Sequence, residues 1–135
     1  MSVRVRFLEA RDEAAWRGLF EGYIQFYQAN VAADVIAASW RALLSGTEGA
    51  HLGLVAVDAH DHPIGLAHVL FHRSTWSKTC YCYLEDLFVA PAARGQGVGR
   101  TLIEAVYREA DKRGASRTYW ATQEFNYTAR TLYDD

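Results

Sequence analysis

Apolar and polar residues alternate at the start of the chain, where Val3, Val5 and Phe7 are separated by Arg4 and Arg6. Successive side chains of a strand point to opposite faces, so the alternation predicts a first strand. After Asp12 the period changes. Trp16, Leu19, Phe20, Tyr23, Ile24 and Tyr27 recur at spacings of three and four, the stripe of an amphipathic helix, with Asp12 placed to cap it. A second helix follows from Ile36, Trp40, Leu43 and Leu44, and Gly46 stands where a helix stop belongs.

The pattern then turns to strands. His51 to Asp58 is the first of three, His60-Asp61-His62-Pro63 is a turn, and Ile64 to Phe71 returns antiparallel. Thr79 to Val89 is the next strand. Gly97 to Arg113 has Val98, Leu102, Val106 and Ala110 on one side of a helix that Gly114 ends. Arg117 to Ala121 is a short strand, and Asn126 opens a last helical turn or two. This order predicts a mixed α/β (α+β) sheet with helices on its faces, in a single domain over residues 1–135.

Composition narrows the function. Half the residues are hydrophobic and 22% are charged, which suits a packed globular core. The formal net charge of -2 and the lack of a basic tract argue against binding nucleic acid. No apolar run approaches the length of a membrane span, and the N-terminus lacks the apolar core of a signal peptide. Cys80 and Cys82 would share one face of a strand and match neither a disulfide nor a zinc spacing. Reduced thiols packed beside the sheet, in a cytoplasmic protein, are expected. His68 and His72 also share a face, without a third metal ligand, so no metal is expected.

The most informative stretch is Arg94-Gly95-Gln96-Gly97-Val98-Gly99-Arg100, which links a strand to a helix. Glycines let the backbone approach a ligand, and successive N–H groups at a helix start converge on an anion. Arg94 and Arg100 add charge-assisted contacts, so a diphosphate suits the loop. The G-x-x-x-x-G-K-[ST] phosphate loop is absent. The dinucleotide fingerprint would need glycine where Arg100 stands, and its loop should follow the strand directly. Alone, the loop is equally a flexible turn before a helix.

The segment Arg94 to Gly99 resembles the R/Q-x-x-G-x-G/A signature of the GNAT superfamily of N-acetyltransferases. Asn126-Tyr127-Thr128-Ala129-Arg130-Thr131-Leu132-Tyr133 is similar to that family's N-x-x-A-x-x-L-Y segment. The stretches His72-Arg73-Ser74-Thr75-Trp76 and Tyr83 to Val89 resemble a narrower group, the bacterial relatives of fungal histone and polyamine acetyltransferases. The resemblance spans nearly the whole chain and implies a central, mostly antiparallel, twisted sheet flanked by helices. The sequence ends at Leu132-Tyr133-Asp134-Asp135, whereas the resemblance implies one more strand. The sheet is therefore expected without its C-terminal strand.

The resemblance implies acetyl-CoA as co-substrate, with the backbone of Leu87, Phe88 and Val89 along its pantetheine arm. It places Arg94, Gly95, Gln96, Gly97, Val98, Gly99 and Arg100 at the pyrophosphate and Asn126 at the pantetheine region. It also implies that Tyr133 protonates the departing thiolate, and a homodimer is common in the narrower group. An alkyl ammonium must lose a proton before it attacks a thioester, because its pKa is near 10. Glu85 is the first candidate base, directly or through a water, and Asp86 the second, otherwise a substrate-binding anion. Adjacent residues of a regular strand face opposite ways, so only one of the two reaches a common pocket unless a bulge intervenes. Tyr23, Tyr27 and Trp76 are candidates to line the acceptor pocket, with plain packing as the alternative.

The expected activity is transfer of acetyl from acetyl-CoA to a primary amine (a polyamine, another small amine or a protein lysine) through a ternary complex. The alternative is a non-catalytic acyl-CoA-binding module on the same fold. A nicotinamide-dependent oxidoreductase is poorly supported by the glycine spacing.

Overall fold

The computed structural model describes residues 3–44 and 50–120. Strand β1 (Arg4–Phe7) is followed by helices α1 (Glu13–Phe26) and α2 (Ala33–Leu43). Strands β2 (His51–Val57), β3 (Pro63–His72) and β4 (Tyr81–Val89) come next, then α3 (Val98–Lys112) and β5 (Arg117–Tyr119). The expected order of elements is therefore observed through β5. The end of the predicted last strand at Ala121, the helix from Asn126 and the stop at Gly46 lie outside the described residues.

The sheet runs β1-β2-β3-β4-β5. The first three pairings are antiparallel, and β4 pairs with β5 in parallel. Each face of the sheet carries its own core. Leu52, Leu54, Val69, Leu84 and Leu87 pack under Val98, Leu102 and Val106 of α3. On the opposite face Val55, Val57, Leu66 and Phe88 pack under Trp16 and Leu19 of α1 and Ile36 and Trp40 of α2. Two covered faces explain why the strands are rich in continuous apolar runs. Cys80 and Cys82 are free and pack toward the α3 side, and burial pushes the Cys82 thiol up to about 11.

Gly53 shows how closely α2 and the β1–α1 connection approach the sheet. A Cβ there would run into the Leu8 side chain and lie 3.4 Å from Leu43 Cβ. Overpacking a core typically costs about 1–3 kcal/mol, so Gly53→Ala is expected to lower stability by that order. Thermal unfolding of the variant against the parent checks it.

Asp12 occupies the N-cap position of α1 but makes no cap hydrogen bond there. Its carboxylate instead accepts from the Glu9 N–H at 2.8 Å and from Arg6 Nη1 at 2.7 Å. The nearer cation and the preceding 3-10 turn outcompete the α1 amides. Arg6 Nε also donates to Asp61 at 3.1 Å, which ties β1 to the β2–β3 turn. Hydrogen bonds from Arg6 and then Arg11 hold the Asp61 carboxyl down at about 2. A depressed carboxyl stabilises the fold above its unfolded pKa, near 3.9, and that contribution is lost as pH falls through about 2. Asp61→Asn is therefore expected to flatten the fall of Tm between about pH 4 and 2. An unchanged slope would show that the cluster does not carry acid stability.

Candidate active site

The two carboxylates of β4 sit at an irregularity. His68 pairs with Asp86 and Val69 with Leu84, so Glu85 is the extra residue of a bulge. Alternation resets there. Leu84 and Leu87 both belong to the core under α3, while Phe88 lies under α1. Glu85 and Asp86 thus both face the side of α1 and α2. The regular-strand expectation that only one could do so is corrected, and the cause is the bulge.

Asp86 is anchored from beneath. His68, 2% exposed, shares a 2.8 Å hydrogen bond between its Nδ1 and Asp86 Oδ2. Trp16 Nε1 of α1 donates to His68 Nε2 at 2.9 Å. An indole N–H can only donate, so His68 Nε2 is the acceptor and Nδ1 carries the proton toward Asp86. The Tyr23 hydroxyl also lies close to Asp86. Burial first, then the charge of Asp86, raises the Tyr23 hydroxyl well above its ordinary range, so it keeps its proton as a donor. Asp86 is thus held in place by the buried His68, with the Tyr23 hydroxyl beside it. The sequence singled out His68 for sharing a face with His72, which it does, but not for this contact. Pairing across β3 and β4 is what brings it to Asp86.

Glu85 is more exposed, and its Oε1 lies 3.0 Å from His51 Nε2 at the start of β2. His51 had no marker in the sequence, because the contact crosses β3. Tyr83, beside Glu85 on β4, has its hydroxyl raised by burial and then by Glu85.

Tyr23 and Tyr27 meet edge to face at 5.0 Å between ring centres. Tyr23 is mostly core. The Tyr27 hydroxyl is buried and has no hydrogen-bond partner among the described residues, a group that a ligand would satisfy. Trp76 is not brought to this site. It is 89% exposed in the β3–β4 loop, where the turn from Ser74 to Ser77 closes on its own backbone. Its expected place in the acceptor pocket is not seen.

The glycine loop behaves as its composition implies. Gly95 and Gly97 have φ of 81° and 76°, left-handed values that favour glycine. Gly97 is the N-cap of α3, without a side-chain cap, so the first amides of the helix at Val98, Gly99 and Arg100 end at the loop. Gln96 and Arg100 are exposed there. Arg94 braces the loop: its Nε donates to the Val89 carbonyl at 3.1 Å, and its guanidinium lies 5.6 Å from the Phe26 ring centre and 5.4 Å from that of Phe88. It also walls a groove of about 520 Å³ between α1 and the end of β4.

β5 pairs with β4 only over Tyr81 to Tyr83. Among the described residues, Leu84 to Val89 carry no strand partner on that edge. An extended ligand can therefore pair with the backbone of Leu87 and Phe88 beside the bulge. Asn126 and Tyr133 lie outside the described residues.

The profile described as "Acetyltransferase (GNAT) family" matches residues 14–135. The D-amino-acid N-acetyltransferase HPA3 of Saccharomyces cerevisiae is 35% identical over 97% of this chain and 81% of its own. A thialysine N-epsilon-acetyltransferase of Caenorhabditis elegans is 34% identical over 55% of this chain and 46% of its own. The fold is similar to that of AAC(6')-Iy in complex with the bisubstrate analog CoA-S-monomethyl-acetylneamine. That match has a TM-score of 0.79 at 22% identity and covers 96% of this chain and 86% of that one. The uncapped helix start, the open edge of β4 and these matches agree, and the chain belongs to the GNAT acetyltransferase family, as an acetyl-transferring enzyme.

Proposed function

We propose that the enzyme moves acetyl from acetyl-CoA to the primary amine of a small cationic acceptor by direct attack in a ternary complex. The observation that carries this reading is the bulge that turns Glu85 and Asp86 to one face beside the open edge of β4. The co-substrate supplies an activated acetyl thioester. Leu87, Phe88 and Val89 would line its arm, with Asn126 nearby, and the amides from Gly95 to Arg100 would hold its pyrophosphate. A backbone N–H of β4 would donate to the carbonyl oxygen as charge develops there.

Asp86 attracts the acceptor's ammonium, and Glu85 removes a proton so that the nitrogen can attack. Tyr133 protonates the departing thiolate, the role its motif implies. The buried Tyr27 hydroxyl is a donor for a polar group of the acceptor. The names of relatives specify D-amino acids and thialysine, which supports a small amine over a protein lysine.

Thiol release from acetyl-CoA, followed across polyamines, basic amino acids of both hands and lysine peptides, tests this. The expected result is turnover concentrated on small cationic amines. Acetyl-CoA binding without turnover on any amine would reject it.

A further inference from the structure

Glu85 has a partner that the acetyl-transfer reading does not use. His51 Nε2 lies 3.0 Å from Glu85 Oε1, and the two side chains are 28% and 42% exposed. They reach each other from β2 and β4 across β3, at the residue the bulge displaces. We infer that His51 is a positioning and acceptor-selecting residue: neutral, it orients the Glu85 carboxylate, and protonated, it cancels part of the charge that draws a cationic amine. The inference rests on the proposed transfer to such an amine.

A neutral imidazole with its proton on Nε2 donates to Glu85 Oε1, which leaves Oε2 for the acceptor's proton. The ring adds no charge in that state, so Glu85 and Asp86 present two negative charges on one face. Protonation of the ring at Nδ1 breaks no contact with Glu85 but places a positive charge at hydrogen-bond distance from it. An incoming ammonium then meets one net negative charge instead of two. A unit charge about 4 Å from the ammonium, screened by water at these part-exposed side chains, should weaken the acceptor about tenfold.

Imidazole is the side chain that changes charge between about pH 5 and 8. The described titratable groups around the pair are Asp86 and Tyr83 on β4, His68 and His72 on β3, Tyr23 on α1, and Tyr119 on β5, which stacks on Tyr83 and hydrogen-bonds His72. The α2 side chains packed toward β2, Ile36, Trp40 and Leu43, carry no charge. His68 faces Asp86 with its tautomer fixed by Trp16.

The test is the acceptor KM, kcat and acetyl-CoA KM of the wild-type protein, His51→Gln and His51→Leu between pH 5.5 and 8.5 (a window of about that width brackets imidazole titration). Glutamine keeps an N–H for Glu85 and does not titrate; leucine removes the donor. The wild-type acceptor KM should rise about tenfold toward the acid end, while His51→Gln stays flat across the window. His51→Leu should also be flat but lose kcat, because Glu85 is no longer oriented. Acetyl-CoA KM should not change in any of the three. Wild-type turnover with the same acid rise in His51→Gln overturns the inference and leaves acetyl transfer standing. No acetylation of any amine by the wild type at any pH overturns acetyl transfer, and this inference with it.

Discussion

Glu85→Gln is expected to lower kcat by about 10²–10³-fold with little change in the KM for acetyl-CoA, the scale of a lost general base. Glutamine keeps the size of the side chain and an oxygen for His51, so the bulge and the 3.0 Å contact are preserved. What disappears is an oxygen basic enough to take a proton from an ammonium. The loss should shrink as pH rises, because free amine becomes abundant near its own pKa of about 10. A kcat within about threefold of wild type at neutral pH would remove Glu85 from the proton path.

Asp86→Asn should act on a different constant. Its acceptor KM should rise about 10–100-fold, with a smaller change in kcat and none in the KM for acetyl-CoA. Asparagine still offers an oxygen to His68 Nδ1 and Tyr23, so the fold should hold while the fixed charge is lost. Asp86→Ala is the structural control. It strands the buried His68 donor, and a buried group left unsatisfied costs about 1–3 kcal/mol. An acceptor KM unchanged in Asp86→Asn would show that this carboxylate serves only the Trp16–His68 chain. Steady-state kinetics with both substrates varied separates the two variants.

Much of this site was legible in the sequence because its signals are local. Gly95 and Gly97 take left-handed dihedrals before a helix start, which glycine at those positions implied. The stripe from Trp16 to Tyr23 is buried on α1 as its period implied, and Val3, Val5 and Phe7 pack inward on β1. What the sequence hid depends on register between strands. The bulge at Glu85 follows from how β3 pairs with β4, and no residue type marks it. His51 and His68 reach the carboxylates through partners 34 and 18 residues away, separations that no spacing rule encodes. Trp76, a candidate for the acceptor pocket with plain packing as the alternative, is exposed in the β3–β4 loop. Asp12 sat where a cap belongs, yet Arg6 competed for it from the neighbouring strand.

The most direct test of the account is the fate of the acetyl group. Acetyl-CoA labelled in its acetyl carbons, incubated with the enzyme and a small cationic amine, should give one labelled acetyl on the amine nitrogen for each CoA released, with no labelled protein. Mass spectrometry of acceptor and enzyme reads both. Label retained on the enzyme, or released as acetate with the amine unmodified, would contradict direct transfer from the face that Glu85 and Asp86 share.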